Sequence, residues 1–140
     1  MGYDRVHTMT AYYDGPRLGI ADFEGKPHLY ESEWDDLDDK YAFTFRLSPV
    51  EPRLFGLAME QWRIWRRWET AYHEGRAPGT KHPALPEDQL RSHELDDILD
   101  TTLKIDEDNY VRAHADFEPV DDPDWNGRGW QPLQVKWTRK

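Results

Sequence analysis

Residues 41–73 read YAFTFRLSPVEPRLFGLAMEQWRIWRRWETAYH, and a change of rhythm inside this stretch decides the fold. Up to Ser48 the pattern repeats every second residue: Tyr41, Phe43, Phe45 and Leu47 alternate with Ala42, Thr44, Arg46 and Ser48. That is the period of a strand with one buried face. Beyond Pro49 apolar residues recur every three or four positions, the period of a helix. Ser48, Pro49 and Glu51 resemble a helix start, as cap, first-turn proline and capping-box acid. Pro52 moves the expected start two or three residues later. Gly75 and Pro78 end the helix near His73.

Three tryptophans with arginines between them raise the question of whether this helix grips a ligand or fills a core. At about 100° per residue, with Leu54 at the origin, Trp65, Tyr72, Ala58 and Trp62 fall on one arc with Trp68, Ile64 and Ala71. Arg63, Arg66, Arg67 and Glu60 fall opposite. The arc is about 200° wide, roughly twice what one flat partner needs, so the helix is expected to pack against a sheet and a second helix together. At ~200 Å² each, the three tryptophans would contribute roughly 15 kcal/mol of gross apolar burial, an upper bound. Stacking on bases would need arginines and aromatics on one face. The wheel separates them, so the tryptophans are read as core and the arginines as a solvated back.

The same two rhythms extend outward. On the N-terminal side lie three candidate strands: Thr10–Tyr13 before the turn Asp14-Gly15, Leu18–Phe23, and His28–Trp34. On the C-terminal side, Pro86-Glu87-Asp88 opens a second helix running to about Leu103, with Leu95, Ile98, Leu99 and Leu103 as its stripe. Val111, Ala113, Ala115 and Phe117 then alternate with polar residues, as do Leu133, Val135 and Trp137, and these two segments are expected to pair antiparallel. The order β-β-β-β-α-α-β-β predicts a single α+β domain over residues 1–140. It is expected to hold an antiparallel sheet of five to six strands with two helices on one face.

Composition narrows the function. Twenty-eight acidic residues against 18 basic ones leave a net charge of −10, which opposes general nucleic-acid binding and favours a basic protein partner. Cysteine is absent, so disulfides, thiolate metal sites and cysteine nucleophiles are excluded. Secreted domains of this size often use disulfides, so a cytoplasmic location is expected. No stretch approaches the roughly 18 apolar residues of a membrane helix, and the N-terminus lacks a signal-peptide run.

Four groups of residues could carry chemistry. Asp122-Pro123-Asp124-Trp125-Asn126-Gly127 opens like a calcium loop, but Leu133 stands where the closing glutamate belongs, so a plain loop is expected. His93-Glu94-Leu95-Asp96-Asp97 resembles a zinc-protease helix with aspartate for the second histidine; a solvated face is the stronger reading. Glu69 lies on the wheel between Trp62 and Trp65, inside the apolar arc with Gln61 and beside His73. A carboxylate there needs a partner. His73, His28, His82 or an arginine from the sheet are the expected ones, and the five residues His28, Gln61, Glu69, His73 and His82 form a candidate buried polar pocket. Lastly Glu31, Glu33, Asp35, Asp36, Asp38 and Asp39 crowd one hairpin, where they could steer a basic partner or pair with Arg63, Arg66 and Arg67. No nucleotide loop, nucleophile elbow or triad order is visible, and no cofactor or metal is expected.

The segments YYDGPRLGIADFEGKPHLYE, AMEQWRIWRRWETAYHEG and HPALPEDQLRSHEL resemble those of a family of small uncharacterised bacterial proteins, over Tyr12 to about Phe117. The resemblance implies a bacterial, stand-alone, soluble protein and assigns no catalytic residue. The residues favour a non-enzymatic binding protein of adaptor, inhibitor or immunity type, monomeric or homodimeric. The alternative is a small metal-assisted or acid–base hydrolase using Glu69 and His73.

Overall fold

A computed structural model describes residues 2–35, 40–125, 127 and 129–140, with the backbone alone at 35 and 40–42. The fold is α+β. Among the described residues, seven strands form one antiparallel sheet: β1 (Asp4–Arg5), β2 (Ala11–Tyr12), β3 (Pro16–Phe23), β4 (Lys26–Asp35), β5 (Lys40–Pro49), β6 (Val111–Pro119) and β7 (Leu133–Arg139). Their order is β1-β7-β6-β5-β4-β3-β2. Between β5 and β6 run α1 (Pro52–His73) and α2 (Gln89–Thr102), the latter entered through a 3₁₀ turn at Pro86–Asp88. The expected five to six strands are thus corrected to seven. The missed strand, β1, has two residues, too few to show a period of two. The chain divides into a sheet unit, Met1–Glu51 with Lys104–Asp122 and Pro132–Lys140, and a helical unit, Pro52–Leu103 with Pro123–Gln131.

In the sheet unit alternation sets the core. Phe45 and Leu47 of β5, Ala113 and Ala115 of β6, and Val135 of β7 are buried with Tyr30, Ala21 and Phe23 in one cluster. Tyr30, Phe45, Phe117 and Trp137 meet there at ring separations of 5.7 to 6.1 Å. The two end segments do pair antiparallel, from Ala113↔Arg139 to Pro119↔Leu133. The β3–β4 hairpin turns at Glu24 and Gly25, with φ of 52° and 80°, the two positive angles that a tight type I′ turn requires.

The N-terminal segment ties the sheet's two sides together. β1 pairs with β7, and Val6 bridges to Ala21 of β3. The N–H groups of His7 and Thr8 both donate to the Ile20 carbonyl, at 2.8 and 3.1 Å. The buried Tyr30 hydroxyl donates to the Thr8 carbonyl at 2.7 Å. Gly19 makes this crossing feasible: a Cβ there would lie 2.2 Å from the Thr8 oxygen. Glycine inside a strand often marks such an approach.

Ser48 is not a helix cap. β5 runs on to Pro49, α1 begins at Pro52, and the buried Ser48 hydroxyl accepts the Asp106 N–H at 3.2 Å.

In the helical unit α1 is held on its two flanks. On one flank α2 supplies Asp96, which accepts from Gln61, and Arg91, whose fork grips Glu60 at 2.7 and 2.8 Å. The residue before α2, Asp88, takes the Arg67 fork at 2.9 Å and makes no side-chain cap. On the other flank sits the loop Pro123–Gln131, through Trp130. The buried positions of α1 follow these flanks: Ala58, Trp62 and Glu69 on one, Ile64 and Ala71 on the other. Trp65 and Trp68, nearer the middle of the arc, are half-buried, and Tyr72 is 46% exposed. Within this unit the wide arc meets the expected second helix, α2, on one side and the Pro123–Gln131 loop on the other, and its centre is the less buried part.

Candidate functional site

On β4, β5 and β6, register brings charges together. Glu31 of β4 lies opposite Arg46 of β5, and Arg46 lies opposite Arg112 of β6. Two cations in direct register repel, and three carboxylates offset this. Glu31 accepts from Arg46 at 2.5 Å, Glu107 accepts from Arg46 at 3.0 and 3.1 Å, and Glu33 takes the Arg112 fork at 2.6 and 2.8 Å. The hydrogen bond from Arg112 holds the Glu33 carboxyl below its ordinary pKa, against a smaller opposing push from burial. The Arg46 guanidinium also stands 5.6 Å from the centre of the Tyr110 ring, a cation–π separation.

Around this ladder lies a shallow groove lined by Ser32, Glu33, Trp34, Arg46, Tyr110 and Arg112. Trp34 is 49% and Tyr110 39% exposed. Phe43, 58% exposed, has its ring 6.3 Å from His114. Of the acidic run singled out in the sequence, Glu31 and Glu33 therefore pair with arginines of their own sheet, not with Arg63, Arg66 or Arg67. The Asp35 side chain and the residues Asp36, Asp38 and Asp39 lie outside what is described.

The second cluster centres on Glu69, which is buried at 7% exposure. One carboxylate oxygen accepts from Arg66 at 2.5 Å and the other accepts the Trp130 backbone N–H at 3.0 Å. Arg66 also lies 5.0 Å from the Trp130 ring centre, and Trp62 meets that ring edge-on at 5.4 Å. Gly129, with φ +69°, is packed so close that a Cβ would come within 2.7 Å of the Glu69 carboxyl carbon.

The expectation of a paired Glu69 holds, but its expected partners do not. Arg66, three residues back on the same helix, reaches it because that spacing makes side chains neighbours. The other four pocket residues are engaged elsewhere. His28 belongs to the sheet unit, where its Nδ1 donates to the Lys26 carbonyl at 2.8 Å and its ring packs on Phe23 at 5.2 Å. Gln61 donates to Asp96. His73 is exposed with its ring edge-on to Tyr72 at 5.4 Å. His82 is exposed, its ring 6.0 Å from that of His93. Among the described residues no group of three or more His, Asp or Glu side chains is placed to hold a metal ion. In the Asp122–Gly127 loop, Asn126 lies outside the described residues. Gly129 and Trp130 give no sign of their role in the sequence, because they lie some 60 positions from Glu69 with no periodic signal around them.

Comparison with known proteins finds a partial similarity. Over 122 residues, 86% of this chain, the sequence is 30% identical to the halolysin-like extracellular serine protease Nep of Natrialba magadii. The chain spans only 18% of that protein's length. No family model matches, in keeping with the resemblance to proteins of no assigned activity. No solved structure matches. Among the described residues no helix is long and apolar enough to cross a membrane.

Proposed function

We propose that this chain is a non-enzymatic binding protein that engages a protein partner through the groove on β4, β5 and β6. The observation that carries the reading is the pairing of exposed Trp34 and Tyr110 with Arg46 and Arg112 in one groove. Trp, Tyr and Arg are the residues that most often dominate interface energies. The arginines are already fixed by Glu31, Glu33 and Glu107, so a partner meets a face that loses little side-chain freedom on binding. The test is capture from native lysate with the wild type and with a Trp34→Ala/Tyr110→Ala double variant. A partner retained by the wild type and lost roughly tenfold from the variant supports the reading. Equal capture by both rejects it. Fractionation of the native cells decides between the cytoplasmic location expected from the sequence and one outside the cell.

The similarity to part of an extracellular serine protease favours a second reading, an inhibitor-type module that acts on such an enzyme. Serine protease assays with and without the chain test it, and unchanged rates across a panel would reject it. The hydrolase alternative at Glu69 and His73 draws no support from the geometry, since the Glu69 carboxylate is committed to Arg66 and Trp130.

A further inference from the structure

Resting on the binding role of the β4–β6 groove, we infer that the partner presents a basic segment, with one arginine or lysine seated on Trp34 and Tyr110 against Glu33. Three observations point there. First, the ladder pairs three carboxylates, Glu31, Glu33 and Glu107, with the guanidinium groups of Arg46 and Arg112, and Lys140 lies near enough to help keep Glu33 ionised. The ladder's charges therefore balance, and the net charge of −10 on the whole chain draws cations toward it and repels anionic partners.

Second, the Glu33 carboxylate has capacity to spare. The Arg112 fork places one N–H on each of its oxygens, and an ionised carboxylate offers about four acceptor sites. Hydrogen bonding from Arg112 also keeps the group ionised to lower pH than usual. A second cation can therefore be accepted without breaking the first pair. Third, the groove walls are aromatic. Trp34 is 49% and Tyr110 39% exposed, and Tyr110 already receives Arg46 at 5.6 Å. Aromatic rings beside a carboxylate suit a guanidinium or ammonium, because the ring face and the anion both favour positive charge. A carboxylate or phosphate ligand would instead have to displace Glu33 from Arg112 and enter against the field.

The test uses three fluorescein-labelled decapeptides that differ only in carrying arginine, alanine or glutamate at alternate positions, read by anisotropy at low salt. The arginine peptide is expected to bind the wild type. Glu33→Gln and Trp34→Ala should each weaken it about fivefold, the scale of one exposed ion pair or cation–π contact. Arg112→Gln should tighten it, because it removes a cation and leaves Glu33 free. That opposite sign separates a docking role for Glu33 from a merely structural one, since loss of the Glu33–Arg112 pair is common to both variants. Circular dichroism confirms folding, and Tyr110→Ala substitutes for Trp34→Ala if the latter unfolds. Absence of arginine-peptide binding overturns the inference, as does binding that all variants leave unchanged. Binding of the alanine or glutamate peptide that falls with Trp34→Ala would overturn the basic chemistry while leaving the groove as the docking face.

Discussion

The two units bury aromatic rings in different ways. In the sheet unit Tyr30 and Phe45 are wholly inaccessible, because alternation turns both into the shared cluster with Leu47, Ala113 and Val135. In the helical unit three tryptophans lie within seven residues, yet of these Trp62 alone is buried. Trp65 stacks on Trp62 at 5.0 Å and Trp68 stacks on Tyr72 at 5.1 Å, both half-exposed. Two flanking neighbours hold α1 by ion pairs and hydrogen bonds and leave the crest of the arc less covered. Aromatic content alone does not report burial in either unit: Phe43 and Trp34, in step with Phe45 and Tyr30 on β5 and β4, are 58% and 49% exposed, and what decides is whether a neighbouring element covers the ring.

The largest test of that contrast compares truncations across the two units. Phe45→Ala is expected to cost about 3–5 kcal/mol in denaturant melts, as complete core truncations do. Trp62→Ala should cost about 3 kcal/mol. Trp65→Ala should cost about half as much, since it keeps part of its surface in water. A Trp65→Ala variant as damaged as Phe45→Ala would erase the distinction and restore the crest of the arc as true core.

Next in size is Gly19→Ala, expected to cost about 2–3 kcal/mol. The added carbon meets the Thr8 carbonyl at 2.2 Å and the Tyr30 hydroxyl at 2.6 Å. The nearer of these is backbone, so relief requires moving the N-terminal segment that joins β7 to β3. Gly56 is the control, because a Cβ added there would meet no atom within 4 Å. Gly56→Ala in α1 should stabilise slightly by propensity. Equal effects at the two glycines would mean that the crossing at Thr8 is soft.

How much of this is legible in the sequence follows the same divide. The β5-to-α1 switch, the α2 stripe and the β6–β7 pairing can be read because each is periodic over seven residues or more. Alternation alone places Phe45, Arg46 and Arg112 on the correct faces. It does not give their cross-strand partners, because register depends on where β4, β5 and β6 begin, and the irregularity between Ser32 and Trp34 cannot be seen in composition. The wheel angle of Glu69 marks it as a paired buried acid. The same wheel assigns its partner Arg66 to solvent, because a wheel plots where side chains start and not where a long one ends. Trp130 arrives from a loop, and no periodicity announces a loop.

Glu69→Gln is expected to cost about 1–2 kcal/mol, because an amide keeps one acceptor for the Trp130 N–H but loses the charge that Arg66 meets. Arg66→Ala should cost more, because it leaves a buried carboxylate with the Trp130 N–H alone to meet its charge and also removes the contact with the Trp130 ring. Thermal melts check the order. If Glu69→Gln proves the more damaging, the carboxylate's hold on the Trp130 N–H outweighs its pairing with Arg66, and the loop is held by that hydrogen bond first.

The smallest expected effect is in the pH dependence, where the signs differ by group. Arg112 holds Glu33, and Arg91 holds Glu60, below their ordinary values. Each contributes stability that is present above the carboxylate's unfolded pKa and is lost as pH falls through its depressed folded value. Asp4 runs the other way. Burial first, and then the nearby Asp22, raise its pKa, so its ionised form costs stability at neutral pH and that cost disappears on acidification. Because a raised pKa titrates before a lowered one, melting temperature should first rise slightly as pH drops from neutral, then fall toward about pH 3. Asp4→Asn should remove the rise and leave the fall. Glu60→Gln should shrink the fall by removing the helical unit's share, and Glu33→Gln by removing the sheet unit's. A monotonic fall that Asp4→Asn leaves unchanged would show that the β1 aspartate is hydrated in solution and that Asp22 does not reach it.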